Sequence, residues 1–165
     1  METATLVFLG FIVVQRLSEL AIAKRNTARL LAKGAHEVGA AHYPFMVVLH
    51  TAWIACLIIF GVNEAVAVSW FAVFAVLQVL RVWILCSLGE RWTTRIIILE
   101  EPLVVRGPFK YVSHPNYMLV IAEIFVAPMV LGLAWVAAIF TVLNAAMLYV
   151  RINKEHRALA SLRDV

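Results

Sequence analysis

The sequence predicts an all-α integral membrane protein that crosses the bilayer about five times. Hydrophobic residues make up 64% of the 165-residue chain, and charged residues only 15%. A water-soluble domain of this length cannot bury so much apolar surface in a single core. The apolar residues also form long runs, and most basic residues lie between those runs. We therefore expect lipid to cover most of the outer surface.

Five stretches of the chain are apolar enough to cross a bilayer as helices. They are residues 5–23, 44–62, 66–86, 117–131 and 135–150. The fourth is short and contains Pro128, so we expect it to be tilted, kinked or partly re-entrant, and counts of four or six spans stay open. Only three residues, 132–134, separate the fourth stretch from the fifth. This short turn predicts that the last two helices pack antiparallel.

The positions of the basic residues predict the orientation. If every span crosses, all Lys and Arg residues outside the spans face one side of the bilayer, and the opposite loops carry none. By the positive-inside rule that side is the cytoplasm, which places the N-terminus outside and the C-terminus inside. The net charge of +4 is thus explained by topology, and we expect no nucleic-acid partner. No repeat or linker interrupts the chain, so residues 1–165 are predicted to form one domain.

The segment 89–116 is a long polar loop in a chain that otherwise has almost none. It contains a β-like run at residues 96–99. Pro115 can begin a helix, which would place His114 at its cap and Tyr117 one turn further in. An imidazole and a phenol beside free backbone N–H groups would suit an anionic ligand group such as a carboxylate. In the alternative interpretation, His114 only caps the helix and Tyr117 belongs to the interfacial aromatic belt.

A second candidate group lies where the last helix leaves the membrane. Arg151 and Glu155 are four residues apart, which places them on one face of that helix. Such a pair is often a solvated ion pair without further function. The short turn before the last helix, however, returns Arg151 to the membrane level of His114. We therefore expect both groups to border one pocket.

Charged residues also lie within the predicted spans, where they are costly and often functional. Arg16 and Glu19 share one face of the first helix. Two interpretations stay open: they form a structural ion pair, or they belong to a functional site. Arg81 lies near the cytoplasmic end of its span, where it could reach the interface. Glu123 has no partner nearby in the sequence, so we expect it to face the pocket or Arg81.

Neither a metal site nor a nucleotide fold is predicted. His36, His42 and His50 share no helical face, and the two cysteines lie within spans, where neither a disulfide nor a ligand cluster is indicated. The chain also contains no glycine-rich phosphate loop and no dinucleotide fingerprint.

The second half of the chain resembles the isoprenylcysteine carboxyl methyltransferase family. Several motifs occur in the family's order: Leu88-Gly89 with Trp92-Thr93, Gly107-Pro108-Phe109-Lys110-Tyr111-Val112, His114-Pro115-Asn116-Tyr117, and Arg151-Ile152 with Glu155 and Leu159. In that family these segments and the C-terminal helix form a cytoplasmic pocket for S-adenosylmethionine, and the lipid substrate enters from the bilayer. The resemblance implies that residues 1–86 are a three-helix membrane part and residues 87–165 a cofactor-binding catalytic part.

The resemblance also implies a set of functional residues. Arg151 would be the catalytic arginine, and we name Glu123 as a second catalytic candidate because it could orient or deprotonate a substrate hydroxyl; His114 could take that role instead. The residues expected to bind the cofactor are Val105, Gly107, Tyr111, Val112, His114, Pro115, Tyr117 and Glu155. Two positions depart from the family pattern: Ser113 replaces a common arginine, and His156 replaces a common second glutamate.

The acceptor implied by the resemblance is a lipid, methylated on oxygen. It is either an isoprenylcysteine-type carboxylate or the hydroxyl of an alkylpyrone or alkylresorcinol, because the N-terminal half is similar to short bacterial members. The expected location is therefore the bacterial inner membrane, among membrane lipids, with a lipid- or polyketide-synthesising enzyme as a candidate partner. A small transporter or sensor and an NADPH-dependent membrane reductase stay open as alternatives.

Overall fold

The computed structural model describes residues 2–102 and 104–163, and helices dominate this part of the chain. The α-helices are α1 (Thr3–Ala32), α2 (Tyr43–Gly61), α3 (Val68–Leu88), α4 (Pro115–Val130) and α5 (Ala134–Arg163). Two short strands, β1 (His36–Val38) and β2 (Ile96–Ile98), and three 3-10 turns lie between them. Each predicted span falls on one of the five helices.

Four of the described helices, α1, α2, α3 and α5, are long and apolar enough to cross a membrane, whereas α4 is shorter. Large hydrophobic side chains such as Val7, Val48, Val79 and Val142 are exposed on the outside of the bundle. In water such a surface would be unfavourable, and in a bilayer it contacts lipid. The prediction of an all-α integral membrane protein is thus confirmed.

The short helix α4 is stabilised by a contact from α2. Pro128 has no N–H group, so the carbonyl of Ile124 loses the bond that a helix normally supplies. The indole Nε1 of Trp53 donates to that carbonyl instead, at 3.3 Å. Because an unpaired carbonyl inside a bilayer costs several kcal/mol, this contact explains why α4 continues as a helix to Val130.

The hydrophobic core lies at the end of the bundle that carries the short loops. Phe8 and Trp53 pack there with Phe74, Ile124 and other apolar residues of all five helices. Backbone contacts close this end, and the predicted turn between α4 and α5 has Gly132 at φ +69°. The opposite half of the bundle, where the long loop lies, is less tightly filled and contains the cavities described below.

Strand β2 confirms the β-like run predicted after residue 95, but its partner was not predicted. β1 and β2 pair antiparallel, with His36 opposite Ile98 and Val38 opposite Ile96. A carboxylate oxygen of Glu37 lies 2.8 Å from Arg95 Nη1, and this contact raises the pKa of Arg95 above its ordinary value. The small sheet therefore joins the loop after α1 to the long loop.

Candidate active site

Two cavities lie in the half of the bundle that carries the long loop. The first, which we call the loop cavity, has a volume of about 240 Å³ and lies among the long loop, β2 and the adjoining ends of α4 and α5. The second, which we call the bilayer cavity, has a volume of about 160 Å³ and lies between the helices. The bilayer cavity is lined by residues of all five α-helices, with Arg81 from α3, and by the segment 92–94.

Four of the predicted site residues meet on the wall of the loop cavity. Arg151 Nε donates a hydrogen bond of 2.9 Å to the phenol oxygen of Tyr117. The phenol in turn donates to the carboxylate of Glu155. The ring of His114 stacks on that of Tyr117, with centroids 5.3 Å apart and planes 18° from parallel. The expectation that both sequence groups border one pocket is thus met.

Local sequence explains why these side chains converge. Pro115 occupies the first turn of α4, and the carbonyl of His114 accepts from the backbone N–H of Tyr117 at 3.2 Å. Arg151 and Glu155 lie one turn apart on α5, so both can reach the same phenol. The expected Arg–Glu pair is therefore bridged by Tyr117 and does not point away into solvent.

The guanidinium of Arg151 is also held by two residues that the sequence analysis did not single out, Thr94 and Met46. Its Nη1 donates to the carbonyl of Thr94 at 2.7 Å and contacts the Met46 sulfur at 3.1 Å. The hydroxyl of Thr94 is hydrogen-bonded to the phenol of Tyr43 at 3.2 Å. Arg151 is consequently fixed from α2, α4 and the long loop, and its side chain is buried.

Trp92 is positioned by the first helix. The side-chain amide of Asn26 on α1 donates to the carbonyl oxygens of Gly89 and Trp92, at 3.1 and 2.9 Å. Trp92 is buried, and its indole N–H has no partner among the described residues. An amide on a membrane helix thus holds the start of the long loop against the bundle.

The loop cavity and the bilayer cavity share one wall. The residues that line both are Trp92, Thr93, Asn116, Tyr117 and Arg151. The hydrogen-bonded pair of Arg151 and Tyr117 is therefore in contact with both spaces. This arrangement can hold two different molecules whose reacting ends meet at that pair.

Several other predicted cofactor contacts lie away from the wall of the loop cavity. Val105 and Tyr111 are 71% and 76% exposed, and Val112 is also exposed. Pro115 is buried at the start of α4, directly before the residues that do line the cavity. None of these four residues lines the loop cavity, and their role in cofactor binding stays a prediction.

Gly107 contacts α3 rather than the loop cavity. Its φ is +58°, and a Cβ at this position would lie 2.1 Å from the hydroxyl of Ser87. The neighbouring Arg106 donates from Nε to the Ser87 carbonyl at 2.7 Å. Only glycine fits this close approach, so the geometry of Gly107 anchors the long loop to the end of α3.

The charges within the membrane form a closed network that we call the charge ring: Arg16, Glu19, Arg81 and Glu123. Arg81 donates from Nε to Glu123 at 2.6 Å and from Nη1 to Glu19 at 2.9 Å. Arg16 lies 2.8 Å from Glu123 and 3.1 Å from Glu19. Each arginine thus contacts both carboxylates, and the ring joins α1, α3 and α4 with no net charge.

Glu123 itself is 1% exposed and lines neither cavity. Gln78 also donates to its Oε1 at 3.1 Å. The expectation that it faces Arg81 is met, whereas its catalytic role stays a prediction.

Of the two departures from the family pattern, Ser113 lines the loop cavity. The side chain of His156 lies outside the described part of the structure.

Comparison with known proteins identifies the family. The model of the isoprenylcysteine carboxyl methyltransferase family matches residues 66–161, which is more than half of the chain. The chain belongs to this family. It is therefore a membrane methyltransferase, and the predicted resemblance is confirmed. The matched region contains Trp92, His114, Tyr117, Arg151 and Glu155, all of which line the loop cavity.

Two relatives match almost the whole of this methyltransferase. The uncharacterized protein YpbQ of Bacillus subtilis is 36% identical over 157 residues, which cover 92% of this chain and 94% of that protein. An uncharacterized protein of Haemophilus influenzae is 29% identical over 157 residues, or 89% of this chain and 90% of its own length. No solved structure matches the chain at a significant level.

Proposed function

We propose that the protein transfers a methyl group from S-adenosylmethionine to an oxygen atom of a lipid. The shared wall of the two cavities carries this proposal. One cavity adjoins the long polar loop and the other lies between membrane helices, and Arg151 and Tyr117 contact both. A polar cofactor and an apolar acceptor can thus approach the same pair of side chains from opposite sides.

The side chains of the loop cavity fit the cofactor. Arg91 and Arg95 pair with Glu101 and Glu37 in this structure, and both arginines would exchange these partners for the carboxylate of the cofactor. Glu101 and Glu155 would accept from its amino and hydroxyl groups. The indole N–H of Trp92, which has no partner in the described part of the chain, provides a donor that a heteroaromatic ring nitrogen can satisfy. When bound, S-adenosylmethionine supplies an electrophilic methyl group to a nucleophilic oxygen.

Arg151 would hold the acceptor oxygen in this reaction. Its Nε and Nη1 are already bonded to Tyr117 and to the Thr94 carbonyl, so the guanidinium needs little reorganisation when the acceptor arrives. Its positive charge favours an oxyanion. A carboxylate or an acidic enol is ionised near neutral pH and needs no strong base, whereas a phenol would need proton removal.

The acceptor is a lipid with an isoprenylcysteine-type carboxylate or an alkylpyrone or alkylresorcinol hydroxyl. Its tail would lie in the bilayer cavity, beside Met46, Ile54 and Leu148. Tyr117 and the small sheet would separate the reacting atoms from bulk water, which competes for the methyl group. We assign Glu123 a positioning role, because both of its oxygens accept hydrogen bonds from Arg16 or Arg81.

The proposed location is a bacterial inner membrane, with the N-terminus outside. The basic residues of the loop ends and of α5 support this orientation. The loop cavity then opens towards the cytoplasm, where S-adenosylmethionine is made. The acceptor would come from an enzyme that synthesises lipids or polyketides.

Calorimetric titration of detergent-purified protein tests the cofactor assignment against its alternatives. We expect S-adenosylmethionine and S-adenosylhomocysteine to bind in the micromolar range, and NADPH not to bind. His114→Ala and Glu155→Gln should weaken this binding at least about tenfold, since each removes a contact of the loop cavity. Glu100→Gln, which changes an exposed carboxylate of the same loop, is the matched control.

Binding of NADPH alone would instead favour a reductase. Binding of neither ligand to folded protein would favour a transporter or sensor. Either result would overturn the proposed reaction.

A further inference from the structure

We propose that the bilayer cavity contains a second polar binding site, formed by Arg16, His50 and Asn144. We call it the deep polar site. It would bind a hydroxyl group of the acceptor other than the oxygen that receives the methyl group. This inference rests on the proposed function only in naming the ligand as the methyl acceptor.

Unpaired donors in the cavity wall provide the first argument. Arg16 Nε and Asn144 Nδ2 are buried and have no hydrogen-bond partner among the described residues. Asn144 is 1% exposed and lies on α5, well inside the membrane bundle. Both residues line the bilayer cavity. An unpaired donor costs about 1–3 kcal/mol when it is buried, so a ligand oxygen placed here would gain a large part of that free energy.

His50 adds an acceptor to these donors. Its Nδ1 lies 2.9 Å from the carbonyl oxygen of Met46. Because a carbonyl can only accept, Nδ1 carries the hydrogen in this bond. In a neutral imidazole the other nitrogen, Nε2, is then an acceptor. His50 also lines the bilayer cavity. The wall can thus both donate to and accept from a ligand, which matches a hydroxyl better than a ketone or an ether.

The helices place this site deeper in the membrane than Arg151. Asn144 precedes Arg151 by seven residues on α5, a rise of about 10 Å along the helix. His50 follows Tyr43 by seven residues on α2, which is again about 10 Å. The phenol of Tyr43 is hydrogen-bonded to Thr94, whose carbonyl binds Arg151. The bilayer cavity thus has polar side chains at two levels with apolar residues between them.

The charge ring does not explain the unpaired atoms. Arg16 uses Nη1 for Glu19 and Nη2 for Glu123, which leaves Nε without a partner among the described residues. Asn144 lies outside the ring. We infer an amphipathic acceptor with its reacting oxygen at Arg151 and a hydroxyl about 10 Å further along its chain.

A pair of fatty acids tests this inference directly. Palmitic acid and a palmitic acid with a mid-chain hydroxyl are titrated separately into the full-length protein in detergent, without cofactor. We expect the hydroxylated acid to bind about tenfold more tightly. Equal affinities, or tighter binding of palmitic acid, would overturn the deep polar site.

Substitutions in the cavity wall show which side chains cause the tighter binding of the hydroxylated acid. Asn144→Leu and His50→Phe should each remove it and leave the affinity for palmitic acid unchanged. Met147→Leu, in the same cavity wall, should retain it. A preference that persists in both polar variants would also overturn the assignment. The two variants lie on different helices, and the comparison in the unaltered protein depends on neither of them.

A parallel titration with S-adenosylmethionine separates this inference from the proposed function. A preference for the hydroxylated acid without cofactor binding would support the deep polar site and refute the methyltransferase assignment. Cofactor binding together with equal affinities for the two acids would refute the deep polar site and support the methyltransferase assignment.

Discussion

The Nε atom of Arg151 lies 2.9 Å from the phenol oxygen of Tyr117, on the wall that separates the loop cavity from the bilayer cavity. The same phenol donates to Glu155, and the guanidinium is also bonded to the long loop. A single hydrogen bond therefore joins the residue proposed to hold the lipid oxygen to residues proposed to contact the cofactor.

The planar fork of Arg151 should matter in addition to its charge. Replacing Arg151 with Lys keeps a cation but removes the rigid planar guanidinium that bonds Tyr117 and Thr94 in fixed directions. We expect methyl transfer to fall about 10²–10³-fold, while S-adenosylmethionine binding changes only a few-fold. Arg157→Lys, on an exposed position of the same helix, is the control for both measurements. Near-normal turnover of Arg151→Lys would show that the fixed, planar geometry of the guanidinium is not needed for methyl transfer.

The phenol of Tyr117 is predicted to be a positioning group. Tyr117→Phe keeps the ring that stacks on His114 but removes the link from Arg151 to Glu155. Turnover at saturating cofactor should fall about tenfold or more, because Arg151 loses one of its anchors. Combining Tyr117→Phe with Glu155→Gln should cost less than the sum of the two single changes, since both act on the same link. Strictly additive losses in kcat would contradict the link.

The charge ring should act as a unit in stability. Removing one carboxylate, as in Glu123→Leu, leaves an arginine charge uncompensated inside the membrane and should cost about 3–5 kcal/mol. The double change Glu123→Leu with Arg81→Leu restores neutrality and should recover much of that loss. Thermal unfolding in detergent measures both. If Glu123→Gln instead leaves the Tm unchanged and abolishes turnover, Glu123 is catalytic and the positioning role is wrong.

Gly107 should be far less tolerant of substitution than Gly132. Both have a positive φ, but an added Cβ meets the Ser87 hydroxyl only at Gly107, whereas at Gly132 no described atom apart from its chain neighbours lies within 4 Å. Gly132→Ala should cost only the backbone strain of about 1–2 kcal/mol. Gly107→Ala should cost more and should also weaken cofactor binding, because the long loop loses its contact with α3. Equal effects of the two changes would show that the contact with Ser87 is unimportant.

The existence of the helices could be predicted from the sequence because each contains a long, mainly apolar run, although α1 and α5 extend into polar residues beyond the predicted spans. The span predicted at residues 66–86, for example, corresponds to α3 at Val68–Leu88. Strand β1 was missed, because three residues with mixed polarity give no periodic signal. Its pairing with β2 depends on the long loop folding back over the end of α1.

The site was only partly predictable. His114, Tyr117, Arg151 and Glu155 were found because they flank predicted helix ends and form recognisable motifs. Met46, Thr94 and Asn144 gave no such signal, since their roles arise from contacts between distant segments. The opposite problem affects Tyr111, which belongs to a recognisable motif yet is largely exposed.

The most direct test of the central claim is transfer of a labelled methyl group from S-adenosylmethionine to lipids extracted from the protein's native membranes. Purified protein should place label in the lipid phase, and Arg151→Ala should abolish this transfer while retaining cofactor binding. If purified protein binds the cofactor but labels no lipid, or if Arg151→Ala labels lipid as well as the unaltered protein, the proposed meeting of cofactor and acceptor at Arg151 is wrong.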